Sequence, residues 1–167
     1  MRRTTLVSLL LALAAGCSDP SAADYDAVAR EGLALTLSAS SLSIAPGDTA
    51  RLVARLANHN DHAVRLDFSG GCQVLPHVED AAGSTVYPEG GAWLCTAALT
   101  SLELAPREVR EQTFAWTGEV RGHDPRTFAP VSTPLPAGTY RAYATLAGTL
   151  HGQRVMLRSN TETVQVR

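Results

Sequence analysis

Pro136-Ala137-Gly138-Thr139-Tyr140-Arg141-Ala142 reads as a tight turn running straight into a strand. Proline presets φ at the turn and glycine supplies its freedom, while Tyr140, Ala142 and Ala144 recur at every second position beyond it. A tyrosine at the start of such a strand, two residues before a small buried position, matches a tyrosine corner, whose hydroxyl bonds backbone a few residues upstream. Working outward, period two recurs in Leu33, Leu35 and Leu37, in Ala50, Leu52, Ala54 and Leu56, and in Val64, Leu66 and Phe68. Further runs cover Val74 to Val78, Thr85 to Tyr87, Leu99 to Leu104, Thr113 to Trp116, Tyr140 to Leu146, Arg154 to Leu157 and Thr163 to Val166. Turn signals separate them at Pro46-Gly47-Asp48, Ala82-Gly83-Ser84, Pro106-Arg107-Glu108 and His151-Gly152-Gln153.

Strands of this number and spacing, with no sustained 3.6-residue apolar stripe after residue 33, predict an all-β domain. Together with the corner at Tyr140 they specify an immunoglobulin-like antiparallel β-sandwich over residues 33–167, a length that one core can organise.

The N-terminus predicts the compartment. Arg2 and Arg3 precede an uncharged apolar run, Leu6 to Ala15, about half the ~20 residues a membrane-spanning helix needs. Residues 1–16 therefore read as a signal peptide. Leu13-Ala14-Ala15-Gly16-Cys17 resembles the bacterial lipobox, in which the cysteine becomes the lipidated first residue of the mature chain. Acylation at Cys17 anchors a protein to a membrane, each buried methylene adding about 0.8 kcal/mol. Residues 17–32, rich in Ser, Ala and Asp, read as a lipidated cysteine and flexible tether. The expected location is the cell envelope, facing the periplasm or exterior. By resemblance to lipoprotein sorting signals, Ser18 and Asp19 favour the outer membrane where an organism has two.

Removing the leader takes two of the 14 basic residues and leaves 12 against 16 acidic ones, a mild formal charge of −4. No basic cluster is present, so a nucleic-acid partner has no electrostatic footprint. With Cys17 assigned to lipid, Cys72 and Cys95 remain as an even pair in an oxidising compartment, which predicts a disulfide. Ala142 stands where antibody domains place a cysteine, so this bridge lies elsewhere. It ties the segment after the third strand to the irregular stretch Pro88 to Leu94.

Several positions, read in order, resemble the BsuPI-type proteinase inhibitor domain, an immunoglobulin-like family. They are Asn58, Leu66-Asp67-Phe68-Ser69-Gly70, Val78-Glu79-Asp80 leading through Gly83 to Val86-Tyr87, Leu104-Ala105-Pro106-Arg107-Glu108, and Pro134-Leu135-Pro136-Ala137-Gly138-Thr139-Tyr140. The resemblance implies a protein partner, with a serine protease as the specific version. It does not extend to the namesake's intracellular target, because this chain carries an export signal and a cysteine pair, and fold does not carry function with it.

Candidate chemistry is sparse. His59-Asn60-Asp61-His62 has a spacing that seats metals, but no Glu or third His completes a ligand set, and the loop reads as a solvated turn. Neither a Gly-x-Ser-x-Gly elbow nor a free Cys beside a His is present. The chain reads as non-catalytic, without cofactor or metal. Two stretches are left as binding surfaces. Thr117 to Leu135 lacks a strand pattern and offers Arg126, Phe128 and Pro130 on a proline-stiffened loop, or else is a passive crossover between sheets. Tyr87 to Trp93 sets two aromatics around a glycine pair, with Trp93 either a partner anchor or part of the core. The alternative to a partner-binding inhibitor is an accessory lipoprotein that supports an envelope assembly.

Overall fold

The computed structural model describes residues 31–167. The leader, Cys17 and the tether as far as Arg30 lie outside the described residues. The strands are β1 (Leu33–Ala39), β2 (Ser43–Ile44), β3 (Ala50–Asn58), β4 (Val64–Phe68), β5 (Val74–Glu79), β6 (Thr85–Tyr87) and β7 (Thr100–Leu104). After these come β8 (Val109–Trp116), β9 (Glu119–His123), β10 (Pro130–Pro134), β11 (Gly138–Leu150), β12 (Gln153–Arg158) and β13 (Glu162–Val166). Each apolar run read from the sequence becomes one of these strands, within a few residues at either end. Leu99 is an exception at its own position: it is 83% exposed, and the strand starts at Thr100.

The sandwich has two faces. One sheet runs β1-β3-β8, and the other follows β2-β13-β11-β4-β7, with β12 and β5 also on β11 and β6 on β5. Pairing is antiparallel throughout, except where β2 joins β13 in parallel. The period-two pattern follows directly, since each sheet turns one face to the core and the other to water. Ala50, Leu52, Ala54 and Leu56 of β3 meet Leu66, Ala142, Ala144 and Leu146 from the opposite sheet, all buried. Each leucine so buried contributes about 1.5–3 kcal/mol relative to leaving it in water.

The tyrosine corner forms as expected. Tyr140, buried in the core, donates its hydroxyl to the carbonyl of Pro136 at 2.8 Å. That bond fixes the turn entering β11, the strand on which four others pair. Tyr140→Phe keeps the ring and leaves the Pro136 carbonyl without this donor, a net cost of about 0.5–1.5 kcal/mol. Urea unfolding should show a lower midpoint at unchanged slope; an unshifted midpoint would remove the corner from the determinants of this fold.

Asn58 staples a second corner. It is 1% exposed, and its Nδ2 donates to the carbonyls of His62 (2.9 Å), Ala105 (3.0 Å) and Leu104 (3.3 Å), while Oδ1 accepts from the amide of Asn60 at 3.0 Å. One buried amide therefore ties the 59–62 loop to the turn before β8. Within that loop His62 Nδ1 lies 3.1 Å from Asp61 Oδ1, and the pair is solvent-exposed. Among the described residues no three His, Cys, Asp or Glu side chains gather as a metal site.

The stretch Thr117 to Leu135 corrects the reading from sequence. It holds a β-hairpin, β9 paired with β10, and not a strandless loop or a crossover. Apart from half-buried Glu119, every residue of the two strands is exposed. A ribbon with water on both faces has no apolar side to alternate, so the period-two signal is absent even though the strands form. Gly118 makes the departure from β8 possible: its φ is +66°, and a Cβ there would sit 3.2 Å from Ile44 Cδ1. Leu135, buried in the core, returns the chain, its amide donating to the Gly118 carbonyl at 2.9 Å.

Candidate functional site

The hairpin stands against the short 3-10 turn Glu89–Gly91, which follows β6. This brings together the two stretches singled out from sequence, Tyr87 to Trp93 and Thr117 to Leu135. Between them lies a groove of about 750 Å³ lined by Glu89, Glu119, Arg121, His123, Pro130 and Val131 among others. A second cavity of about 270 Å³, lined by Tyr87, Trp93, Ala115 and Trp116, shares Glu89, Glu119 and Arg121 with it. The two form one continuous depression from the end of β8 to the outer hairpin strand.

Hydrogen bonds hold its walls. Glu89 Oε1 accepts the amide of Arg121 at 3.2 Å, docking the turn onto β9, and Glu119 Oε2 accepts the Ser132 hydroxyl at 2.6 Å across the hairpin. Trp93 is half-buried: its indole Nε1 donates to the Pro76 carbonyl at 3.0 Å, and its ring meets Tyr87 edge-on at 5.3 Å. It therefore belongs to the wall of the site and not to the core. Burial pushes the Tyr87 phenol up from its ordinary pKa, with the Glu89 carboxylate adding to the effect.

Cys72 and Cys95 form the expected disulfide, their Cα atoms 5.4 Å apart. It pins the segment that carries Trp93 to the chain leaving β4. Close by, the Gly71 amide donates to the Thr96 carbonyl at 2.9 Å.

At the hairpin tip, Asp124 organises the turn. Its Oδ1 accepts the amides of Arg126 (2.7 Å) and Thr127 (3.0 Å), its carbonyl accepts the amide of Phe128 (2.8 Å), and its amide donates to Ala129 (2.9 Å). Those two donors to Oδ1 hold the Asp124 carboxyl below the usual aspartate range. Phe128 emerges 77% exposed at φ +56°, a conformation that costs a bulky residue about 1–3 kcal/mol and is found where ligands are clamped. Of the four partner residues expected from sequence, Arg126 and Phe128 sit on this tip, Pro130 opens β10 and lines the groove, and Trp93 lines the adjoining cavity. The expectation that Arg126, Phe128 and Pro130 share one proline-stiffened loop is corrected: Arg126 and Phe128 lie on a closed turn and Pro130 on a paired strand. Sequence reading did not single out Glu119, Arg121 and Val131, because nothing local marks two exposed strands as the wall of a groove.

No protein-family model and no curated protein matches the chain. Solved structures do superpose on it. A CARDB domain of the PF1109 protein from Pyrococcus furiosus, in complex with di-metal ions, shares 15% identity over 81% of this chain and 87% of that one, with a TM-score of 0.43. A PapD-like domain of human CEP192 shares 15% over 82% and 86%, at 0.39. A β-glucosidase from Listeria innocua in complex with gluconolactone shares 16% over 80% of this chain, which spans 16% of that enzyme, at 0.44. Likenesses of this order carry no functional information.

Proposed function

We propose that this chain is a non-catalytic, lipid-anchored module of the cell envelope that binds a protein partner through the β9–β10 hairpin and the groove beside it, with serine-protease inhibition as its most specific form. The observation that carries the reading is the tip: a turn fixed by four hydrogen bonds to Asp124, two to its carboxylate and two to its backbone, presents a strained, exposed Phe128 that contributes nothing to the core. An element already held in its bound shape loses little entropy on association. Val120 and Val131 extend the apolar surface along the hairpin, 37% and 42% exposed. Aromatic anchors of this kind dominate binding energies. The signal-like leader directs export, Cys17 supplies the anchor, and the residues that follow it as far as 32 supply the tether.

The resemblance to BsuPI-type inhibitors supports the protease version, and the tip's geometry constrains it. A protease cleft reads extended backbone, whereas Asp124 to Ala129 closes on itself. Inhibition then proceeds by covering the cleft, and the hairpin is not cleaved. The purified chain should be mixed at micromolar concentration with a panel of subtilisin-like and trypsin-like enzymes; absence of inhibition across the panel removes this version.

Crosslinking in intact cells tests the binding reading itself. Phe128→Gly relieves the positive φ, so thermal stability should hold or rise, while partner capture should fall roughly 30-fold or more, the loss of a hot spot worth about 2 kcal/mol. Capture unchanged by this variant overturns the assignment of the hairpin. A protease among the captured proteins selects inhibition, and a transporter or outer-membrane complex selects the accessory role.

A further inference from the structure

We propose that the partner adds a strand to β8: an extended segment with apolar residues at alternate positions and a Lys or Arg where it passes the C-terminal end of β8. This rests on the protein-binding reading above and names the partner segment. The register of the β3–β8 pair decides which groups are available. The Asn58 amide donates to the Glu108 carbonyl at 2.9 Å, which makes 58 and 108 a hydrogen-bonded pair. Alternation then turns the backbone of residues 110, 112, 114 and 116 towards β3, and that of Val109, Glu111, Thr113 and Ala115 outward. Among the described strands β8 pairs with β3 alone, so these outward groups form an open edge.

Four other edges are guarded. Asn160 closes β1 by bonding both the amide (2.9 Å) and the carbonyl (3.0 Å) of Leu37. On β7, Gln73 and Arg110 donate to the carbonyls of Ser101 (3.5 Å) and Glu103 (3.4 Å). The outward positions of β10 are Pro130, Ser132 and Pro134, given by the Leu135–Gly118 bond, and two of the three lack an N–H. The outward positions of β12 are Arg154, Met156 and Arg158, whose two guanidiniums resist an approaching strand. Proteins protect edges in these ways against unwanted pairing, and among the outward positions of β8 the one charge is that of Glu111, which Arg55 pairs at 2.6 Å.

What lies beside β8 specifies the occupant. A strand docking about 4.8 Å away would turn every second side chain inward. There the inward side chains meet two spaces in line: one of about 200 Å³ walled by Trp93, Gln112 and Phe114, and the cavity of about 270 Å³ walled by Tyr87, Trp93 and Trp116. The second also holds the carboxylates of Glu89 and Glu119. Neither makes an ion pair among the described residues, and Arg121 is the one basic side chain lining the cavity. The local charge is negative and the walls aromatic, which suits a guanidinium or ammonium.

The test uses the full chain in detergent and a phage-displayed library of random dodecapeptides. Enriched peptides should share alternating apolar residues and a Lys or Arg. Bound at saturation, they should slow amide exchange at Glu111, Thr113 and Ala115 by about tenfold or more. N-methylation of the peptide at alternate residues should abolish binding in one register and spare it in the other, a readout that needs no change to the protein. Thr113→Pro, placed where the N–H serves no partner in the fold, should abolish binding with near-ultraviolet circular dichroism unchanged, and Glu89→Gln with Glu119→Gln should weaken it several-fold. No enrichment, or binding that leaves those amides unprotected or ignores N-methylation, overturns the proposal. Phe128-dependent capture in cells that survives Thr113→Pro overturns strand addition alone; capture insensitive to Phe128 overturns the reading beneath it.

Discussion

Trp116→Ala should be the most damaging single substitution in this domain, at about 3–5 kcal/mol. Trp116 ends β8, is 1% exposed, and packs its ring 5.7 Å from that of Tyr140 at 58°. Truncation removes the largest fully buried side chain and undermines the tyrosine corner at once. Against a total stability of roughly 5–15 kcal/mol, such a loss should lower the melting temperature by roughly 10–20 °C. Trp116→Phe should behave quite differently. Among the described residues the buried indole Nε1 has no acceptor. Phenylalanine therefore forfeits no protein hydrogen bond and removes an unsatisfied donor, whose burial costs about 1–3 kcal/mol. That gain offsets most of the lost ring area, and the net change should stay below about 1.5 kcal/mol. Calorimetry on the two variants checks the pair; a Trp116→Phe loss well above about 1.5 kcal/mol would mean that the indole N–H is satisfied in solution.

The second large effect is expected from Cys72→Ser with Cys95→Ser. In the chain-entropy account, opening a loop whose cysteines are 23 residues apart removes about 3 kcal/mol by freeing the unfolded chain. Loss of the bridge also releases the segment carrying Trp93, where Leu94 and Leu99 are 98% and 83% exposed and bury little that would hold it in place. Partner capture should consequently fall along with stability. Urea unfolding with and without a thiol reductant separates the contributions: reductant should lower the midpoint of the native chain to that of the double variant and leave the variant unmoved. A native midpoint indifferent to reductant would show that the bridge does not form in the protein as produced.

Much of the architecture was legible because each sheet has one dry face. Leu52, Leu56, Leu66 and Leu146 announce their strands by alternation, since the same geometry that buries them exposes their neighbours. Tyr140 was legible for a second reason: its hydroxyl reaches only four residues back, to Pro136, so the whole device fits in one short stretch. Asn58 was visible as a position but not as a staple, because the carbonyls it holds include those of Leu104 and Ala105, far along the chain. Asn160 gave no signal at all, and its role in closing β1 appears only when Leu37 is brought beside it.

From its residues alone this chain specified an all-β sandwich, the pairing of Cys72 with Cys95, and two stretches worth suspecting, since period, cysteine number and turn chemistry are properties of neighbours in sequence. Tertiary structure alone decided that Thr117 to Leu135 is a hairpin, that it stands against Glu89, and that the edge of β8 lies open beside the depression they share. The physical reason is that an exposed ribbon has no core face to pattern its residues, and an unpaired edge consists of backbone groups that every sequence carries.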